Sequence, residues 1–153
     1  MAEQTLIIIK PDAVQRHLAG EIISRFEHKG FKLVAAKFMR IGKPLARQLY
    51  GVHKDKPFFK GLTDYLSSAP VIVSVWEADE IVATARKMIG RTFGYEARPG
   101  TIRGDFGCSR QHNLVHGSDS LASAEFEIGL FFTPEELISY DLADHYWLHG
   151  QDE

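Results

Sequence analysis

The stretch TLIIIK at positions 5–10 sets the fold class, because it is a short β-branched run that ends at a proline. Pro11 cannot donate to a sheet ladder, so the run predicts a buried strand that ends in a loop. A second continuous apolar run, PVIVSVWE at 70–77, predicts another strand of the same kind. Taken alone, near-continuous apolar strands are consistent with parallel neighbours and helical crossovers.

The segments between and after these runs predict alternating helices and strands. Strands are predicted at 31–41 and in NLVHG at 113–117, and helices at 20–29, 45–50, 57–68, 78–90 and 120–132. The order β-α-β, helices, β-α-β predicts an α+β, ferredoxin-like split βαβ fold, with an antiparallel four-stranded sheet covered by helices on one face. Because no internal repeat or linker is present, residues 1–153 are expected to form a single domain.

Composition excludes several broad classes of protein. With 44% hydrophobic residues, 25% charged residues and a formal charge of -2, no bulk field would attract nucleic acid or a membrane, and local cations must hold any anionic partner. Cys108 is the only cysteine, which excludes a disulfide framework or a cysteine-rich metal site and indicates a reducing compartment. The apolar run near the N-terminus is too short for a signal or membrane segment, so a cytoplasmic location is expected.

The segment 91–112 differs from the rest of the chain. It is rich in glycine, contains Pro99 and four arginines, and has few aliphatic residues. A loop of this length without regular structure inside a compact domain is usually functional. We therefore expect it to contribute to a site.

Cations at the ends of the predicted elements indicate an anion site. The common phosphate and metal motifs GxxxxGK, GxGxxG, HExxH and CxxC are absent from the sequence. Lys10 ends the first strand, Arg86 lies late in a helix, and Arg103 lies in the glycine-rich loop, with Thr92 and Asn113 nearby in sequence. Such a set suits a polyphosphate, although each residue alone is more often an exposed surface group.

The stretch NLVHGSDS at 113–120 places His116 at the end of a predicted strand, directly before a helix. A lone histidine is more often structural than catalytic. Here Glu127 could reach back to hydrogen-bond one ring nitrogen and leave the other free as a nucleophile, with Ser118 as a bridge. Asp12, by contrast, is expected to be a helix N-cap rather than a ligand.

These stretches together resemble nucleoside diphosphate kinases over nearly the whole chain. The resemblance is carried by TLIIIKPDAVQR at 5–16, by PGTIRGDF at 99–106, and by NLVHGSDS, which contains the complete family signature Asn-x-x-His-Gly-Ser-Asp. It implies an enzyme that transfers the γ-phosphate of a nucleoside triphosphate such as ATP to a nucleoside diphosphate. The implied route is a ping-pong reaction through a phosphohistidine on His116, which would maintain NTP and dNTP pools.

The resemblance also implies a role for each matching residue. Catalytic roles fall on His116, Glu127, Ser118, Lys10 and Tyr50. Nucleotide contacts fall on Lys10, Phe58, Leu62, Arg86, Thr92, Arg103 and Asn113. Phe58 would stack on the base, with Leu62 beside it, so many nucleosides should be accepted. Mg²⁺ would bridge the nucleotide phosphates, with no metal ligand from the protein.

The assembly implied by the family is a homo-oligomer, and the tail through Trp147 favours the hexamer over the tetramer. Two loops that flank the site, RTFGYEARPG and GCSRQH, depart from common family sequences. Two other classes remain open: a nucleic-acid-binding module and a scaffold without activity. The first lacks an RNP1-like motif and a basic charge, and the second should have lost the histidine, lysine or arginines, which are all present.

Overall fold

A computed structural model describes residues 2–153, which form a sheet flanked by helices. The strands are β1 Ala2–Ile9, β2 Lys32–Met39, β3 Val71–Asp79 and β4 Val115–Gly117. The helices are α1 Pro11–Gln15, α2 Ala19–His28, α3 Lys43–Leu49, α4 Phe59–Leu66, α5 Ile81–Ile89, α6 Ile102–Phe106, α7 Leu121–Phe131 and α8 His145–Leu148. Short 3-10 turns lie at Gly51–His53, Gly94–Glu96 and Pro134–Glu136.

The strands pair in the order β2-β3-β1-β4, and all the pairings are antiparallel. The predicted α+β fold with an antiparallel four-stranded sheet is confirmed. The parallel neighbours that the apolar runs allowed do not occur among residues 2–153. In the β1–β4 pair Ile8 lies opposite His116, so the sheet itself fixes the position of the histidine beside the end of β1.

Both faces of the sheet are covered, which corrects the expectation of helices on one face only. Ile7 and Ile9 belong to one buried cluster, which contains residues of α2 and α5. Leu6 and Ile8 belong to another, which contains residues of α3, α4 and α7. Because alternate residues of a strand point to opposite faces, burial on both sides requires every position to be apolar. This is why β1 is continuously apolar in an antiparallel sheet.

Two departures from the predicted elements have identifiable reasons. The helix predicted from residue 78 begins at Ile81, because Ala78 and Asp79 still pair with the first residues of β1. The segment 91–112 is not without structure, since it contains α6. The side chain of Thr101 caps α6 by accepting a hydrogen bond from the amide of Gly104.

Residues 2–153 contain no helix that is long and apolar enough to cross a membrane.

Candidate active site

The end of β1 and the start of β4 bring a lysine and an asparagine together. Lys10 follows β1 directly, and its Nζ donates a 2.8 Å hydrogen bond to Oδ1 of Asn113, which precedes β4. Nδ2 of Asn113 donates in turn to the backbone carbonyl of Thr92 at 3.1 Å. The antiparallel pairing of the two strands therefore places three of the predicted nucleotide-contacting residues in one hydrogen-bonded chain.

His116 is held on β4 by a carboxylate from α7. Its Nε2 lies 2.8 Å from Oε1 of Glu127, and Oγ of Ser118 donates to the same oxygen at 2.8 Å. Ser118 is fixed by the backbone amide of Leu6, which donates to its Oγ at 3.2 Å. Within residues 2–153, Nδ1 of His116 makes no hydrogen bond. One ring nitrogen is thus anchored and the other is left for chemistry.

Arg103 is buried behind the histidine strand. Its guanidinium donates to three backbone carbonyls, those of Asn113 at 3.1 Å, Val115 at 2.6 Å and Gly90 at 3.2 Å. Burial, with the nearby Arg86 guanidinium, lowers the pKa of Arg103 to about 10, so it remains charged at neutral pH. Its donors are satisfied by neutral acceptors, and its charge therefore has no ion-pair partner in the described part of the chain.

Lys10 is only 4% exposed and is also without an ion pair in residues 2–153. Burial and then the charge of Arg103 lower the pKa of Lys10 to about 7, with the carboxylate of Asp12 opposing the shift. Arg86 adds another cation at the end of α5, where Nη1 donates to the carbonyl of Gly117 at 3.2 Å. An anion that approached these cations would stabilise their charged forms.

Tyr50 lies edge-on to the histidine, with 6.1 Å between the two ring centroids and 80° between the ring planes. Its hydroxyl is buried and has no hydrogen-bond partner among residues 2–153. Burial and the nearby carboxylate of Glu127 raise the pKa of Tyr50, so the hydroxyl stays protonated. An unpaired buried hydroxyl on a ring that contacts the histidine is suited to a ligand group.

Phe58 lies directly before α4, and Leu62 lies within α4, packed against the core cluster that contains Tyr50. Phe58 is 52% exposed, and its ring centroid lies 5.3 Å from that of His53. No hydrogen bond or ring contact in residues 2–153 joins either residue to His116. The structure therefore brings the predicted phosphate-contacting and catalytic residues together, whereas Phe58, which is predicted to stack on the base, lies exposed before α4.

Asp12 was not singled out by the sequence as a site residue, and its predicted role as an N-cap is wrong. The residue that caps α1 is Lys10. Oδ2 of Asp12 accepts a hydrogen bond from the amide of Leu114 at 3.2 Å, and Oδ1 accepts one from the hydroxyl of Tyr65. No local pattern reveals these contacts, because the partners lie 102 and 53 residues away in the chain.

Comparison with known proteins assigns the family. A family model described as nucleoside diphosphate kinase matches residues 3–137. The chain belongs to the nucleoside diphosphate kinase family. A nucleoside diphosphate kinase from a Synechococcus strain is 54% identical over 146 residues, which cover 95% of this chain and 96% of that protein. Another, from Carboxydothermus hydrogenoformans, is 54% identical over 147 residues and covers 96% of this chain and 99% of that one.

Solved structures agree with this assignment. A halophilic nucleoside diphosphate kinase from Halobacterium salinarum, solved in complex with CDP, superimposes with a TM-score of 0.96 at 45% identity and covers 98% of this chain and 100% of that one. The predicted family and the predicted class, a phosphotransferase, are confirmed. This fold is therefore the nucleoside diphosphate kinase fold.

The two segments that flank the site, 91–100 and 107–112, contact each other. The guanidinium of Arg110 lies 5.0 Å from the ring centroid of Phe93, and its Nε donates to the hydroxyl of Tyr95 at 3.1 Å. Nε2 of Gln111 donates to the carbonyl of Gly61 on α4 at 2.7 Å. Residues of one segment thus contact residues of the other and α4.

Proposed function

We propose that this chain transfers the γ-phosphate of a nucleoside triphosphate, with ATP as donor, to a nucleoside diphosphate through a phosphohistidine on His116. The arrangement that carries the proposal is a histidine anchored through Nε2 by a buried carboxylate, with its Nδ1 free and cations close by. Phosphoryl transfer requires mainly positioning and cations aimed at the transferring group, and these residues can supply both.

The reaction proceeds in two half-reactions. Nδ1 of His116 forms a bond to the γ-phosphorus, the bond from that phosphorus to the β–γ bridging oxygen breaks, and the nucleoside diphosphate leaves. A phosphate oxygen of the acceptor diphosphate then forms a bond to the same phosphorus, and the bond to Nδ1 breaks. The carboxylate of Glu127 accepts the Nε2 proton in a hydrogen bond and stabilises the positive ring that forms on phosphorylation.

The remaining predicted residues divide into phosphate and nucleoside contacts. Lys10, Arg86 and Arg103 stabilise the charge on the phosphates, and Thr92, Asn113 and the Tyr50 hydroxyl provide neutral hydrogen bonds to the phosphates and the sugar. The base stacks on Phe58 beside Leu62. Because every base has a π-face, this contact accepts many nucleosides and suits an enzyme that maintains NTP and dNTP pools.

The described residues do not fit a magnesium site of their own. Residues 2–153 contain no group of three histidine, cysteine, aspartate or glutamate side chains that could hold a metal ion. Mg²⁺ prefers oxygen ligands and commonly binds through substrate phosphates, so the ion would enter with the nucleotide.

We further propose a cytoplasmic homo-oligomer, with the hexamer as the expected assembly. The edge strand β2 supports an assembly, because β3 is its only strand partner in residues 2–153 and Phe38 on it is 69% exposed. The amide of Ile138 donates to the carbonyl of Val34, so the segment after residue 137 covers only the first half of this edge. An exposed apolar edge strand invites pairing with another chain. The single cysteine favours a reducing compartment.

The proposed function is tested by phosphoryl transfer from ATP to dTDP with Mg²⁺, comparing the wild type with His116→Ala. An exposed histidine on α2 provides the matched control, His28→Ala. Radiolabelled ATP should leave acid-labile, alkali-stable phosphate on the wild type and on the control but not on His116→Ala. A wild type that acquires no label would indicate the scaffold or the nucleic-acid-binding class instead.

A further inference from the structure

The backbone between Asn113 and His116 contains a strained turn. The amide of Val115 donates to the carbonyl of Asn113 at 2.9 Å, and Leu114 between them has a φ of 76°, so these three residues form a γ-turn with positive φ. This form of γ-turn is rare and strained, and a non-glycine residue holds it only where the surroundings enforce it. Asn113 lies on one side of the turn and the histidine strand on the other.

Both backbone polar groups of Leu114 are held from β1 and α1. Its carbonyl accepts a 2.9 Å hydrogen bond from the amide of Lys10, and its amide donates to Oδ2 of Asp12 at 3.2 Å. The other carboxylate oxygen of Asp12 accepts a hydrogen bond from the hydroxyl of Tyr65 on α4. Asp12 is thus fixed by a second element and provides the side-chain anchor of the turn.

We propose that Asp12 is a positioning residue that holds the γ-turn at Leu114 and thereby sets Asn113 and His116 in place for phosphoryl transfer. The inference rests on the proposed function, and it adds a residue to which that function gave no role. A misplacement of about 1 Å at a reacting group can lower a rate by about a hundredfold. An anchor on the backbone of Leu114, two residues before His116, is therefore enough to change the rate.

The charge of Asp12 gives a separate signature. Lys10 is faced by Asp12 from α1, by Arg103 from α6, by the ring of Tyr65 from α4 at 5.9 Å, and by Asn113. Asp12 raises the pKa of Lys10 against the larger effects of burial and Arg103. Removing the carboxylate charge should therefore move the deprotonation of Lys10 to lower pH, which a purely structural role would not do.

The test compares Asp12→Asn, which keeps the shape but not the charge, with Tyr65→Phe, which keeps the charge but not the hydroxyl. At pH 6, where Lys10 is protonated, we expect the single-turnover rate of His116 phosphorylation to fall about tenfold to hundredfold in Asp12→Asn, with the Kd for ADP changed by less than about threefold. Tyr65→Phe should show a smaller loss. The exposed Asp141→Asn serves as the control for the same chemical change and should match the wild type.

The pH dependence of kcat/KM completes the test. The alkaline limb should move to lower pH in Asp12→Asn and stay in place in Tyr65→Phe. A wild-type phosphorylation rate in Asp12→Asn would overturn the proposal. A lower rate that the unfolded fraction of Asp12→Asn fully explains, with no shift of the alkaline limb of the kcat/KM profile, would overturn it too. If Asp12→Asn does not fold, an unchanged rate in Tyr65→Phe overturns it. If the wild type forms no phosphohistidine, both the proposed function and this inference are wrong. If the wild type is labelled and Asp12→Asn is phosphorylated at the wild-type rate, only the inference is wrong.

Discussion

Lys10→Met should make the protein more stable and inactive at the same time. The ammonium of Lys10 is buried, and its pKa is lowered from 10.5 to about 7, mainly by burial and then by the charge of Arg103. Its acceptor is the amide oxygen of Asn113, at 2.8 Å, rather than a carboxylate. A charge held in this way destabilises the folded state unless an anion is bound.

The magnitude follows from the pKa. A change from 10.5 to about 7 corresponds to about 5 kcal/mol between the protonated and neutral forms. Methionine fills a similar volume, but it leaves the Asn113 oxygen unpaired, which costs ~1–3 kcal/mol. The net gain is ~2–4 kcal/mol at pH 6, or a rise in Tm of about 4–16 °C for a chain of this size.

The sign of the pH dependence is fixed by linkage. The folded-state pKa of Lys10 lies below the unfolded value, so between about pH 7 and 10.5 the unfolded chain binds more protons than the folded one. The wild type therefore gains stability from Lys10 as pH rises through this window, and the advantage of Lys10→Met disappears. Below pH 7 both states of the wild type are protonated and the difference is constant.

The measurement is thermal unfolding of both proteins between pH 6 and 10 in buffers without phosphate, because bound anions would stabilise the wild type selectively. Differences between the two proteins cancel the contributions of all other titrating groups. A variant that is no more stable than the wild type at pH 6, or whose advantage is the same at pH 10, would refute the reasoning. Phosphoryl transfer measured on the same samples should fall to background in Lys10→Met.

Three further predictions concern other parts of the molecule. Glu127→Gln, which keeps the hydrogen-bonding shape but not the charge beside His116, should lower the phosphorylation rate about tenfold to hundredfold with little change in KM, measured in single turnovers. Phe58→Ala should raise KM for nucleotides about tenfold, since base stacking contributes ~1–3 kcal/mol, while urea unfolding changes by less than about 0.5 kcal/mol. Gly104→Ala should prevent folding or cost more than ~3 kcal/mol, because its Cβ would overlap a backbone carbonyl, whereas Gly20→Ala on α2, with nothing within 4 Å of the new Cβ, should stabilise by ~0.5–1 kcal/mol in the same assay.

The sheet could be predicted because its evidence is local. The runs around Ile7 and Val73 are apolar at successive positions, and this composition predicts strands whatever they pair with. The antiparallel direction was predicted from the order of the elements and not from these runs, because burial on both sides gives the same pattern in parallel and antiparallel sheets. The second covered face was not predicted, because the same order indicated helices on one face. The strand predicted at 113–117 begins only at Val115, because the positive φ of Leu114 interrupts it, and no residue type marks that position.

The candidate site was predictable in its residues but not in its supports. The resemblance named His116, Glu127 and Ser118, and the structure places His116 and Ser118 each within hydrogen-bonding distance of Glu127. The sequence could not reveal α6, because a helix of five residues is too short to show the helical repeat of apolar residues. Its cap at Thr101 is a single hydrogen bond. The role of Asp12 depends on contacts distant in sequence, so only the folded chain shows it.

The site is built from buried cations whose donors are satisfied by neutral groups. Arg103 donates to three backbone carbonyls and Lys10 to an amide oxygen, so their hydrogen bonds are made while their charges remain uncompensated. A carboxylate in an ion pair with each would stabilise the empty protein but would also cancel the field that attracts phosphates. Asp12 lies close enough to affect the pKa of Lys10, yet it forms hydrogen bonds to Leu114 and Tyr65. Without nucleotide the folded protein is therefore less stable than it could be, but its cations are free to bind a polyanion. This is why removing Lys10 should stabilise the fold.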